Sequence, residues 1–469
     1  MTTPTAPTAA FTATLDGRAI GPSDDHYESA RKVWNGMIDK RPRLIVEADS
    51  VDDVARSIAY ARAAGLPLAI RGGGHNVAGN GTVDGGILLD LGRFKTVEVD
   101  PDARLVRVGA GARLADIDRA TEPFRLAVPV GVVSGTGIGG LTLGGGVGWL
   151  VRAHGLTIDN LVAAEVVLAS GERVTASAEE HPDLFWGLRG GGGNFGVVTS
   201  FTFRAHPLDL DVLAGSLVYQ QARWPEALRT FAGLAPELPD DLTTLMTFLV
   251  PPADWEMGDR ALLFMGLAWA GADRAAGREV IERLRAACPP DMALLEPTRW
   301  LAFQSAFDAI LPNGVRAYWR NASFSRLDDQ MIDTLVEHLG AQTWYGTAAD
   351  LHHMGGAYGR VAEDATAFPN RSAEYWLNIY GFWDNPADDA ARSAWVKASS
   401  DAMRPYAMAG QYVNFLGQDD ADPREKALAA YGESKLARLA EAKRRYDPEN
   451  LFRINHNIPP APRPGASRG

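Results

Sequence analysis

Apolar positions near the start of the folded chain switch between two periods. Arg43-Leu44-Ile45-Val46-Glu47 reads as a short strand, and Ser50 with Asp53 three residues later marks a helix start. Val51, Val54 and Ile58 then recur at helical spacing until Gly65 and Pro67 stop the pattern. Leu68-Ala69-Ile70-Arg71 resumes as a strand and runs straight into Gly72-Gly73-Gly74-His75. Short strands follow at Val97 to Val99, Leu105 to Val108 and Val166 to Leu168, each beside turn residues. Alternation over 374–383 predicts a strand with Trp376, Asn378 and Tyr380 on one face. A last helix is expected from about Arg424 to Arg445, interrupted by Gly432, with Lys443, Arg444 and Arg445 at its negative C-terminal end. The pattern is that of a mixed α+β protein.

Residue usage changes near Pro207. Residues 131–148 hold nine glycines, whereas nine of the twelve tryptophans lie between 209 and 410, which argues for two regions with different tasks. The tryptophans suit a stacking pocket or plain core packing. The Thr/Pro/Ala start and the PAPRPGASRG end read as flexible tails, residues 1–11 and 461–469. A chain of 469 residues, 46% hydrophobic and 22% charged, is that of an ordinary folded protein. Its net charge of -12 argues against nucleic acid as a partner, since phosphate contacts need a basic surface. The single cysteine, Cys288, gives no disulfide framework, and neither a signal peptide nor a membrane span is legible, so a cytoplasmic protein with no membrane partner is expected, a monomer or homodimer.

Candidate chemistry gathers on the glycines. Clusters at Arg71 to Gly81, Gly131 to Gly148, Gly187 to Gly196 and Gly355-Gly356 let backbone amides approach a phosphate-bearing ligand; any one of them alone could serve a tight turn. Gly135-Thr136-Gly137-Ile138-Gly139-Gly140 matches a dinucleotide fingerprint, with Asp159 about twenty residues on. Leu141 to Gly146 is too glycine-rich to be expected as the helix that fingerprint needs, at about 1 kcal/mol per interior glycine. No Walker-type loop is present. His75, directly after three glycines, is placed for nucleophilic or polar contact. His352-His353 invites a metal reading, but neighbours on an extended segment point apart and no third ligand appears, so no metal is expected.

Taken in order, Arg71-Gly-Gly-Gly-His75-Asn76 with Gly79, Val128-Pro-Val-Gly131, Gly137-Ile-Gly139-Gly140, Gly144-Gly145-Gly146-Val-Gly148, Leu184-Phe-Trp-Gly-Leu-Arg189-Gly190 and Asn194-Phe-Gly-Val-Val198 form an ordered set. Phe368-Pro369 with Arg371, Tyr412-Val-Asn414-Phe415 and Tyr446-Asp-Pro-Glu-Asn-Leu-Phe452 with Asn455 extend it. The set resembles the berberine-bridge-enzyme-like flavoprotein oxidases of the vanillyl-alcohol-oxidase superfamily over nearly the whole chain, with the first part similar to bacterial 6-hydroxy-nicotine oxidases.

The resemblance implies a two-part PCMH-type FAD-binding domain, residues 12–207 and 411–460, with an inserted antiparallel-sheet substrate domain flanked by helices over 208–410. It implies FAD joined to His75 by one 8α-histidyl bond, because Val133 stands where many relatives carry a second, cysteinyl attachment. The cofactor residues it points to are Arg71, Gly72, Gly73, Gly74, His75, Asn76 and Gly79. Val133, Thr136, Gly137, Gly140, Gly144 and Val147 follow, then Val198, Tyr412, Asn414 and Asn455. Tyr412 matches the tyrosine that faces the flavin ring and is a candidate base, although its spacing with Asn414 also suits an ordinary strand tyrosine. Asn378 replaces a Glu or Gln and becomes a candidate substrate contact; Asn370 replaces a frequent histidine. The expected reaction takes a hydride from an alcohol or amine carbon of a small aromatic, heterocyclic or glycosidic substrate to flavin N5, with dioxygen returning as hydrogen peroxide. A dehydrogenase with another acceptor and a ligand-sequestering flavin protein are the alternatives.

Overall fold

Two parallel pairings set the first sheet. In the computed structural model, which describes residues 6–342, 344–417 and 422–463, Leu44–Glu47 and Leu68–Arg71 flank Ile87–Asp90 and run parallel to it. Arg18–Ile20 closes one edge antiparallel. The crossover between the flanking strands is the helix Val51–Ala63, whose first turn is capped where expected: the Asp53 N–H donates to Ser50 Oγ at 3.2 Å. A second, antiparallel sheet has the order Val97–Asp100, Leu105–Gly109, Val197–Arg204, Leu161–Val167, Arg173–Ser177. Its core is shared with the C-terminal segment: Val413, Tyr431, Leu439 and Phe452 pack with Val108, Phe201 and Phe203.

The stretch between is one seven-stranded sheet, antiparallel throughout. Its order is Met292–Arg299, Asp211–Gln220, Leu262–Trp269, Leu242–Val250, Gly346–His353, Tyr375–Trp383, Arg316–Phe324. Helices Trp224–Leu234, Arg274–Ala287, Asp329–Gly340 and Asp389–Met403 bury Leu228, Phe231, Ile281, Leu335 and Val396 in a core on one side of it. The strand expected over 374–383 is there as Tyr375–Trp383.

Several expectations change. Residues 6–12 are a helix rather than part of a tail, because Phe11 is buried and stacks on Tyr60 at 4.1 Å; residues 1–5 and 464–469 lie outside those described. Ile138–Gly144 is helical despite its glycines. A side chain on Gly139 would press on the Ala110 carbonyl at 2.9 Å, and one on Gly144 would meet Asn414, so close packing overrides intrinsic propensity. The dinucleotide fingerprint still fails, for a different reason: no parallel strand feeds this helix, and Gly137 instead bridges antiparallel to Arg113. Asp159 accepts from both terminal guanidinium nitrogens of buried Arg371 at 2.8 Å and so is occupied as an ion pair. The last helix, Pro423–Tyr446, breaks at Gly432 (φ 70) as expected. Lys443, Arg444 and Arg445 stand in its last turn as expected; Lys443 is wholly buried there and donates to Asp447, Asn194 O and Phe452 O.

Candidate active site

Three glycine-bearing segments converge on one cavity. The loop 71–76 leaves its strand with Gly74 at φ 70, and Gly73 abuts the Gly137 backbone so closely that neither position has room for a Cβ. Loop 131–137, the helix Ile138–Gly144, residues 192–198 and the C-terminal Asn455-His456 complete that half of the wall. The cavity, about 290 Å³, continues across the face of the seven-stranded sheet.

It brings together nearly all the expected residues. Arg71 to Asn76, Val133, Thr136, Gly137, Gly140, Gly144, Val147, Val198, Asn378, Tyr412, Asn414 and Asn455 all line it. Gly79 is a correction: it lies off the wall, in a turn where its φ is 71, its N–H donates to Asn76 O at 3.0 Å, and a Cβ would press on the Ile38 side chain. Arg71 lines the wall but spends its charge on Asp90, with Nε 2.8 Å from Oδ2. Cys288 ends the helix Arg274–Ala287 in the core of the second region, away from this wall.

His75 stacks on buried Trp34 with ring centroids 4.6 Å apart. Burial, with Arg113 nearby, holds its imidazole down to about 4, so at neutral pH the ring is uncharged and has a lone pair to offer. Tyr412 is not on a strand. It precedes the single turn Val413–Phe415, is buried, and its hydroxyl oxygen accepts from the Gly146 N–H and Asn414 Nδ2, both at 3.0 Å. Burial outweighs those two donors and pushes the phenol up to about 12. Both groups that donate to it are neutral.

The sheet supplies groups that sequence reasoning missed. Asp350 pairs in register with Asn378 on the next strand and with Thr247 on the other side. It accepts from Thr247 Oγ1 and Tyr380 Oη, each at 2.6 Å. Burial pushes its carboxyl up to about 6, against those two hydroxyls. His352, two residues on, also lines the cavity; burial lowers it to about 4. His353 turns to the opposite face and meets buried Arg152. The alternation Asp350, His352 against Ala349, Leu351 was the available sign of an inward polar face. Trp319, Tyr380, Phe382 and Phe415 form the aromatic wall above them. The second region reaches the glycine loops through Asp308, which accepts the Ser134 N–H at 2.9 Å and its hydroxyl.

A cavity walled by glycine-loop backbone on one side and by a polar sheet face on the other suits a cofactor held beside a small substrate. The buried Asn455 Oδ1 and His456 Nε2 have no protein partner, as expected of groups meant for such a ligand. The fold and comparisons define an FAD-linked oxidoreductase. Residues 42–177 match the family model described as an FAD binding domain, and 411–459 the one described as berberine and berberine like. The uncharacterised FAD-linked oxidoreductase YgaK of Bacillus subtilis is 32% identical over 457 residues, 95% of this chain and 97% of that protein. The crystal structure of 6-hydroxy-D-nicotine oxidase from Arthrobacter nicotinovorans has a TM-score of 0.85 at 26% identity, covering 96% and 99% of the two chains. Glucooligosaccharide oxidase from Acremonium strictum, with a 6-S-cysteinyl, 8α-N1-histidyl FAD, shares the fold at TM-score 0.86 and 23% identity, covering 97% of this chain and 99% of that one. The chain belongs to the berberine-bridge-enzyme-like family of FAD-linked oxidoreductases. Among the described residues no helix is long and apolar enough to cross a membrane, and no group of three His, Cys, Asp or Glu could hold a metal.

Proposed function

We propose that the protein is an oxidase carrying FAD on His75 through a single bond, acting on an alcohol or amine carbon of a small substrate held against the sheet. The observation that carries this is an uncharged imidazole, on a glycine loop that leaves space for a ligand, inside the same cavity as Tyr412 and a carboxyl. Bound FAD would take a hydride from the substrate carbon and pass the electrons to dioxygen. Backbone around Gly72 to Gly74 and Gly137, with Asn414, Asn455 and Val198, would hold it. Val133, in place of a cysteine, leaves one attachment; the histidyl link follows the one in the glucooligosaccharide oxidase.

The proton accompanying that hydride has to leave the substrate O–H or N–H. Tyr412 uses its oxygen to accept two hydrogen bonds and stays protonated at neutral pH, so it acts as a donor that orients the substrate heteroatom. Asp350, ionised above about 6, is the better acceptor, and this revises the expectation that Tyr412 is the base. Asn378 supplies a further contact. The test is intact mass of the denatured protein beside His75→Ala, with an absorbance spectrum of each. One FAD increment in the wild type, absent from the variant, supports the reading; an unmodified, colourless wild type overturns it.

A further inference from the structure

The substrate half of the cavity is uneven in its charge and hydrogen-bonding character. The hydrogen bonds that Asp350 accepts come from the neutral hydroxyls of Thr247 and Tyr380. Directly across the strand pair, Asn378 is 3% exposed and its Oδ1 has no donor. Two adjacent strands thus present acceptor oxygens side by side, facing aromatic rings. The Trp319 ring lies 5.8 Å from Tyr380 and 5.9 Å from Phe415, and Tyr412 is 4.6 Å from Phe415. Arg71 aside, the other titratable groups lining the cavity carry no charge at neutral pH: burial keeps His75, His352 and His456 neutral, Tyr412 stays a phenol, and Tyr380 donates its hydroxyl to Asp350. Arg71, the guanidinium on the cavity wall, is already paired to Asp90.

A carboxylate, an unpaired amide oxygen and π-faces ask for a compact cation with more than one N–H. An ammonium gives the carboxylate a charge-assisted hydrogen bond, the amide oxygen a second donor, and the rings a cation to attract. A neutral hydroxyl offers one donor and no charge, so it leaves one of the two oxygens unsatisfied. We propose that this half of the site selects a primary or secondary ammonium attached to a flat aromatic or heteroaromatic group, bound through Asp350 and Asn378 within the Trp319, Tyr380 and Phe415 wall. The selection rests on the oxidoreductase reading above and narrows it from alcohols and amines to amines. Asp350 is then both the counter-ion on entry and the acceptor of the ammonium proton, leaving the neutral amine.

The test uses holoenzyme whose FAD content has been verified by mass, and a matched pair with no hydrogen on the reacting carbon, so that neither is oxidised. Cumylamine and 2-phenyl-2-propanol have nearly the same shape and differ in charge. Calorimetric titration at pH 8 should show the amine binding at least about tenfold tighter, in line with a hydrogen bond to a charged group. Asp350→Asn should erase that preference while retaining the flavin spectrum, and Asn378→Leu should reduce it. The preference should fade as pH drops through about 6, where the carboxylate takes up a proton, while the ammonium stays charged up to roughly 10. Equal affinities, including no measurable binding of either compound, overturn the proposal, as does a preference that survives in Asp350→Asn. Because FAD loading is established first, that outcome leaves the flavin reading intact; an FAD-free protein would sink the flavin reading instead.

Discussion

The glycine-rich region and the seven-stranded region build their halves of one cavity by opposite means. The first uses backbone: Gly73 against Gly137 and Gly144 against Asn414 bring main chain to where a side chain cannot fit. The second uses side chains that meet only through strand register, Asp350 beside Asn378 and Thr247, with Tyr380 reaching across. A backbone site is written in local sequence, since glycine at a given spacing has few other uses. A side-chain site on a sheet is written in pairings between segments as far apart as 247, 350 and 378, which local sequence does not state.

That contrast predicts different ways of failing. The largest effect belongs to the sheet half: Asp350→Asn should lower kcat/KM by about 10²–10⁴ with FAD content unchanged, the scale of losing a positioned proton acceptor. In the wild type kcat/KM should fall as pH drops through about 6, because protonation removes the acceptor, and the variant should lack that limb. Next is the tie between the halves. Arg371→Met leaves Asp159 buried without its partner and should cost about 3–5 kcal/mol, read as a drop in denaturation midpoint. Gly137→Ala forces a Cβ into the Gly73 backbone; about 1–3 kcal/mol of overpacking should appear together with reduced FAD loading. The smallest effect is a gain: Gly233→Ala, exposed in the helix Trp224–Leu234 with open space around it, should add about 0.5–1 kcal/mol without touching FAD or activity.

Legibility followed the same division. The strand, cap and helix from Leu44 to Ala63 were readable because each signal is local. The glycine clusters were readable in the same way as loops for a ligand, whereas the individual wall residues came from the family resemblance, and Gly79, whose positive φ serves a turn, does not line the cavity. Of the segment Leu141 to Gly146, residues 141–144 were misjudged, because a helix stabilised by tertiary contact is invisible to propensity. Lys443 stands in the last turn of its helix as expected, but its burial was not legible because two of its partners, Asn194 and Phe452, come from other segments. Asp350 went unremarked for the same reason: its neighbours are brought by the fold. Tyr412 was located, but its chemistry depends on Gly146 and Asn414 donating to it, which only the folded turn shows.

The central claim is that the glycine-loop histidine carries the cofactor into a cavity shared with the sheet. Trypsin cuts after Arg71 and next after Arg93, so residues 72–93 form one peptide with His75 as its single histidine. Mass and flavin fluorescence of that peptide from the purified protein test the claim most directly. An FAD-derived increment fragmenting to His75 is the predicted result; an unmodified 72–93 peptide, or a flavin carried on any other peptide, would contradict it.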